Sequence, residues 1–245
     1  MKRRRQPPGT PSGGRFASEN APAPSNVGLC GDIPRDLLPY LPGDTARAWS
    51  LLAPVLPASA YLIGGTALTV HLRHRTSRDL DFALGRQEDI GAARSRLEAI
   101  GALAVSFQDD RTLNAVFDGT RIQLLDVSDQ TVVAEPSEVG GLRIASVEDI
   151  AAMKIKVIGD RGAMRDYYDL MELDRRNVVL VPSAIRLFVL RYKPRNPEVA
   201  VQHLVRALGY LADVEPNPAL PVSGPEIVSY WEKRQPEVLL PLSRW

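Results

Sequence analysis

The sequence is short of the features that would place it outside the ordinary water-soluble class. It has one cysteine, Cys30, which excludes an intramolecular disulfide and suits a reducing compartment. No base-like neighbour surrounds Cys30, so it is read as a small hydrophobe rather than a nucleophile. No apolar run approaches the ~18 residues that span a bilayer. The basic start lacks the apolar stretch of a secretory signal, so a cytoplasmic protein with no membrane partner is expected. There is no acidic residue before Glu19, while Lys2, Arg3, Arg4, Arg5 and Arg15 are all basic. This is a basic arm, and the simplest reading is a solvated tail. No internal repeat is present.

What is there suits a globular chain. The 245 residues are 44% hydrophobic and 24% charged, with a net charge of +1, enough for one large domain or a catalytic domain with a helical annex. Residues 1–26 are rich in Pro, Gly, Ser and Arg and have too little apolar surface to offset the entropy of ordering, so they are expected to be disordered. Asp44 is expected to cap a helix through Ala48, Leu51 and Val55. Tyr61-Leu62-Ile63 reads as a strand stopped by Gly64-Gly65, with Thr66 capping a helix through Leu68, Val70 and Leu72. Arg78 to Leu84 alternates as a strand, and Asp89 opens a helix through Ile90, Ala93, Leu97 and Ile100. Three strands follow at Leu103–Phe107, Leu113–Phe117 and Arg121–Val127, with Asp118-Gly119 as a hairpin turn. Leu142–Ala145 adds a short strand.

Ser146-Val147-Glu148-Asp149 fits a capping box. It opens a helix through Ile150, Met153, Val157 and Ile158, and another helix carries Tyr167, Leu170 and Leu173. Amphipathic runs at about 183–192 and 197–213 and a short helix at Ile227–Lys233 complete the chain. The expected division is a tail at 1–26, an α/β core at 27–146 and a helical domain at 147–245 that completes the site.

Four features carry chemistry. Gly64-Gly65-Thr66 sits at a strand-to-helix junction, where glycines admit close backbone approach and helix N–H groups receive phosphate. Asp79 and Asp81 are two apart in a strand, so both carboxylates share a face. Two like charges side by side call for a cation, and Mg²⁺ (with Mn²⁺ as the alternative) takes one or two carboxylates plus substrate phosphates. Asp126, ending its strand, is a candidate third metal ligand or base, with Asp110, Asp118 and Asp129 as competitors. Lys154, Arg161, Arg165 and Asp166 supply charge for a triphosphate and for proton transfer. Each feature alone has a plainer explanation as a tight turn, a solvated edge strand or surface charge.

Together, Gly-Gly-Thr-Ala-Leu, His71, Arg75-Thr-Ser77-Arg-Asp79-Leu-Asp81-Phe82, a downstream lysine, Arg161 and Arg-Asp-Tyr-Tyr-Asp-Leu resemble the AbiEii/AbiGii nucleotidyltransferase toxins, which include the mycobacterial MenT enzymes. The resemblance spans roughly 60–170. It implies a polymerase-β-like nucleotidyltransferase core with a mixed sheet, of the α/β (α+β) class, followed by a helical C-terminal domain. By that resemblance Gly65 and Thr66 hold triphosphate, Asp79 and Asp81 bind Mg²⁺, Lys154 contacts the nucleotide and Asp166 is the late catalytic acid residue. Lys156 is the alternative to Lys154. His71 is read as packing behind the carboxylates, with Arg75 and Ser77 holding the loop that presents Asp79.

The resemblance further implies an NTP as donor, tRNA or another RNA as acceptor, and an antitoxin encoded alongside. Arg186, Arg191, Lys193, Arg195 and Arg206, with Arg3–Arg5, are candidates for a phosphate track. Two other readings stay open: the same chemistry on a small molecule such as an aminoglycoside or on a protein hydroxyl, and a nucleotide-binding module without catalysis.

Overall fold

A computed structural model describes residues 32–85 and 90–242, with side chains described as far as Val238 in the last helix. The N-terminal tail, Cys30 and the cap expected at Asp89 lie outside the described residues. The order of elements is a 3-10 turn (Leu38–Tyr40), α1 (Gly43–Leu52), β1 (Ala60–Ile63), α2 (Gly64–Leu72), β2 (Leu80–Leu84), α3 (Ile90–Glu98), β3 (Leu103–Gln108), β4 (Thr112–Phe117), β5 (Thr120–Asp126), β6 (Ser137–Val139), β7 (Leu142–Ile144), α4 (Val147–Asp160), α5 (Met164–Arg175), α6 (Val181–Tyr192), α7 (Pro197–Leu208) and α8 (Gly224–Leu242).

The seven strands form one sheet in the order β3-β4-β5-β2-β1-β7-β6. It is mixed: β2 pairs with β5 and β1 with β7 in parallel, and the other neighbours are antiparallel. Two-residue turns fix two hairpins. Asp118 and Gly119 both adopt positive φ between β4 and β5, as do Gly140 and Gly141 between β6 and β7, the backbone twist such tight turns require. The β6 strand has no apolar alternation, and the sequence reading missed it. The mixed sheet followed by helices agrees with the expected fold class.

Helix ends follow capping chemistry in some places and override it in others. The Ser146 hydroxyl accepts the Asp149 N–H at 3.0 Å, starting α4 as expected. Asp44 falls inside the first turn of α1, after Pro42 at the cap. Thr66 likewise lies inside α2, whose cap residue is Ile63. The short helix expected near Ile227–Lys233 extends to Gly224–Leu242.

One continuous core joins sheet and helices, with Trp49, Leu62, Leu68, Phe82, Ile155, Leu170 and Trp231 all buried in it. Helix α4 is its pivot and packs against α2, α5, α6 and α7. Its N-terminal end is pinned by Asp149, which is 1% exposed. That carboxylate accepts the N–H groups of Val133 and Ala134, at 3.0 Å each, and ion-pairs with Arg191 of α6. Arg191 also donates to the Tyr61 hydroxyl of β1 at 3.2 Å. Arg191 is therefore a buried bolt between layers, and its expected place on a surface phosphate track is corrected.

Candidate active site

The site lies where the C-terminal end of β1 meets the N-terminus of α2, facing α4 and α5. At this junction Gly64 has φ +72°, a left-handed conformation that costs a side-chain-bearing residue but not glycine. A Cβ there would come within 2.7 Å of Asp81 Oδ2. At Gly65 a Cβ would collide with the Arg75 guanidinium. Both glycines keep the first turn of α2 open, and with no side chain capping that turn its N–H groups are available to an anion.

Thr66 is placed differently from the expectation of a phosphate donor. It is 1% exposed, and its hydroxyl lies 2.7 Å from that of Ser77 and donates to the carbonyl of Asp79. Thr45 donates to the Arg78 carbonyl at 2.9 Å, and the Ser77 N–H donates to Tyr40 at 3.0 Å. These contacts hold the 73–79 loop that delivers Asp79. His71 lies behind, 2.8 Å from the Ala145 carbonyl.

Asp81 lies in β2 and Asp79 immediately precedes it, two residues away and, by the extended-chain period, on the same side. Burial, together with the neighbouring Asp79, pushes the Asp81 carboxyl up to about 6, although Lys154, Arg165 and Arg161 act in the opposite direction. The pair is thus short of positive charge. Arg165 approaches Asp79 Oδ2 at 3.7 Å, too long for a good hydrogen bond.

Asp126 does not join the pair. In the parallel ladder Asp81 stands opposite Gln123, and Asp126 stands opposite Leu84. Three residues of strand, about 10 Å, separate the two levels, and the odd offset turns Asp126 to the other face. There Arg111 lies 3.5 Å from its carboxylate. The residue beside Asp81 is the uncharged Gln123, held by a 2.6 Å hydrogen bond to Asn114. Among the described residues no group of three or more His, Cys, Asp or Glu side chains converges as a metal cage. The donor set is two carboxylates, which suits an ion that completes its shell with phosphate and water.

Helices α4 and α5 close the site with a buried charge network. Lys154 Nζ lies 2.7 Å from Asp166 Oδ1 and 2.6 Å from Asp169 Oδ2. Arg75 grips Asp169 with Nε at 2.6 Å and Nη2 at 2.8 Å, and His74 Nε2 lies 2.7 Å from the same carboxylate. Burial disfavours the Lys154 ammonium, but Asp169 and Asp166 outweigh it and hold its pKa above the usual lysine range. Burial likewise opposes the Asp169 anion, yet Lys154 and Arg75 hold its carboxyl well below the usual range. Two of the three ammonium donors are used, which leaves one for a ligand. Asp166 Oδ2 is buried with no hydrogen-bond partner among the described residues. Lys156 instead pairs with Asp160 at 2.5 Å on a half-exposed surface.

Sequence reasoning missed Asp169 as the hub, although it stands one helical turn from Asp166, at i+3 on the same face. Its partners His74 and Arg75 are remote in sequence, and no local pattern announces them. Glycines, carboxylates and cations line one cleft of about 890 Å³, which includes Gly64, Gly65, Asp79, Asp81, Lys154, Lys156, Arg161, Arg165 and Asp166.

The chain is similar to several known proteins. The profile of the family described as nucleotidyl transferase AbiEii toxin, type IV TA system, matches residues 50–220. An uncharacterised protein of Aquifex aeolicus strain VF5, aq_aa25, is 28% identical over 177 residues, covering 71% of this chain and 81% of that protein. The crystal structure of JHP933 from Helicobacter pylori superposes with a TM-score of 0.52 at 18% identity, over 87% of this chain and 96% of that one. MenT4, a nucleotidyltransferase toxin from Mycobacterium tuberculosis H37Rv, gives a TM-score of 0.40 at 15% identity, over 85% and 89% of the two chains.

Proposed function

Because the chain belongs to the AbiEii nucleotidyl transferase toxin family, we propose that it transfers a nucleoside monophosphate from an NTP to an RNA acceptor, tRNA being the class whose modification blocks translation. The observation that carries this reading is the cofacial Asp79–Asp81 pair against the open N-terminus of α2, faced by Lys154 and Arg161 across one cleft. The helix N–H groups and Arg161 bind the triphosphate. Lys154 offers its remaining N–H to the same group while Asp169 and Arg75 fix its position.

Asp79 and Asp81 hold Mg²⁺, with Mn²⁺ as the alternative. Such an ion, when bound, supplies charge neutralisation for the triphosphate and polarises the α-phosphate. A hydroxyl oxygen of the acceptor forms the new bond to the α-phosphorus, the bond from that phosphorus to the β-phosphate bridging oxygen breaks, and pyrophosphate leaves. The hydroxyl proton passes to water in the cleft, while Asp166, paired with Lys154 at 2.7 Å, holds that lysine toward the triphosphate. Membership in a type IV toxin–antitoxin family further supports an antitoxin as the protein partner.

The test is incubation of purified protein with labelled NTPs, Mg²⁺ and total tRNA. Label passes to RNA with the wild type and falls by at least about a hundredfold with Asp79→Ala, in line with loss of a charge-stabilising group. Absence of transfer by the wild type, or undiminished transfer by Asp79→Ala, refutes the proposal.

A further inference from the structure

The cleft is not uniformly polar. The strand face that carries Asp81 continues along β5 from Arg121 and Gln123 to Leu125, with Val127 just past the strand end, and all four line the cleft. Helix α4 shows the same grading around its circumference. At about 100° per residue, the cleft-facing side chains of α4 run in order from Lys156 through Met153, Val157 and Ile150 to Lys154, with Arg161 just past the helix end also lining the cleft. An apolar strip therefore lies between two cationic edges.

Tyr192, at the end of α6, closes this strip and is the one aromatic side chain lining the cleft among the described residues. It packs on Phe188 at 5.3 Å between centroids, and Lys156 Nζ sits 5.6 Å from its ring centre. Met153, Val157, Leu125 and Tyr192 remain partly exposed within the cleft, an arrangement that leaves apolar surface wet until something flat covers it. At the rim, Asn217 accepts the Ala219 N–H at 3.1 Å through its side-chain oxygen, which orients the N–H₂ donors of the same amide.

We propose that the Met153–Val157 strip with Leu125 and Tyr192 is the nucleobase slot of the donor NTP, oriented with its triphosphate toward Lys154 and the Gly64–Gly65 turn. This rests on the nucleotidyl-transfer reading and adds to it the direction in which the nucleotide lies. A heteroaromatic ring is the ligand such walls suit: apolar faces for the ring, an aromatic edge or face beside it, an amide for its polar rim, and cations one helical turn away for its phosphates. The rest of the cleft, past Arg121, is left for the acceptor.

The experiment is calorimetric titration of the full chain in Mg²⁺ with α,β-methylene NTPs, which cannot be transferred, and with inorganic tripolyphosphate. Tyr192→Ala and Val157→Asp each weaken NTP binding by about tenfold or more, the range of a lost aromatic–base stack, and leave tripolyphosphate within about twofold, since phosphate contacts are untouched. Tyr192→Phe keeps NTP affinity. Unchanged NTP affinity in both variants, an equal loss for tripolyphosphate, or an equal loss in Tyr192→Phe overturns the slot. Variants that alter only the KM of the RNA acceptor assign the strip to the acceptor instead and also overturn it. A wild type that binds neither NTP nor tripolyphosphate defeats the nucleotidyl-transfer reading itself, whereas one that binds tripolyphosphate as tightly as NTP defeats only the slot.

Discussion

Gly64 and Asp81 approach so closely that a single methyl group on the glycine would sit 2.7 Å from the Asp81 carboxylate oxygen. The backbone at Gly64 is also left-handed, at φ +72°. Gly64→Ala therefore combines strain with displacement of the carboxylate. Transfer activity is expected to fall by about a hundredfold, the scale of a misplacement near 1 Å. Stability falls by about 1 kcal/mol or somewhat more, as for alanine at positive φ. Label transfer and thermal melting, measured on the same preparation, check both numbers.

The Asp81 carboxyl titrates near 6 in the folded chain, against 3.8 ordinarily. The folded state thus holds its proton more tightly than the unfolded state. Its ionisation costs nothing below the unfolded value, and it subtracts stability as pH rises from about 4 through 6. The full cost above pH 7 is roughly 2–3 kcal/mol. Asp81→Asn is expected to melt higher than wild type at pH 8 without divalent ions, and equally at pH 4, while losing transfer. Addition of Mg²⁺ at pH 8 stabilises the wild type and leaves Asp81→Asn unmoved. A variant that melts below wild type at pH 8 contradicts this account.

Asp169 answers two buried cations and His74 at once. Its folded pKa is depressed, so its contribution is present above the unfolded value and is lost only as pH falls far below it. Removing the carboxylate takes the ion-pair partner from Arg75 and leaves Lys154 with Asp166 alone, and breaking a buried pair from one side costs about 3–5 kcal/mol. Lys154→Met leaves Asp169 with Arg75 and His74 and takes the partner only from Asp166, a carboxylate that can neutralise itself by protonation as a guanidinium cannot, so it destabilises less than Asp169→Ala even though it abolishes transfer. Chemical denaturation of the two variants gives the order directly.

Arg165 is half-exposed and 3.7 Å from Asp79. Pairs of this kind contribute little to stability, at most about 0.5 kcal/mol. Arg165→Ala is therefore expected to melt with the wild type. Near the triphosphate its loss raises the KM for NTP several-fold with a smaller effect on kcat. A lower melting temperature with unaltered KM would make Arg165 a structural residue.

Local chemistry made much of this legible. The Ser146 cap, the Asp118-Gly119 turn and the alternation of β4 and β5 are set by neighbours in sequence, and all three appear where the sequence puts them. The spacing of Asp79 and Asp81 fixed their common face. What the sequence concealed was set by register and long-range packing. Whether Asp126 or Gln123 stands beside Asp81 depends on how β5 slides against β2, and one residue of slip reverses every side chain. Thr66 has the composition of a phosphate donor, but the loop folding back from Arg75 to Asp79 claims its hydroxyl. Arg191 reads as one more surface base until Asp149 is brought to it from the start of α4.

That last contact bears on how the protein can be divided. Asp149 ties the 133–134 backbone to α6, and Arg191 continues the tie to β1. A cut between residues 146 and 147 would therefore not release two interchangeable modules. It would expose both members of a solvent-free ion pair and unmoor the helix that presents Lys154. Sheet and helices share one core, and the placement of Lys154 depends on the contacts that Asp149 and Arg191 make across it.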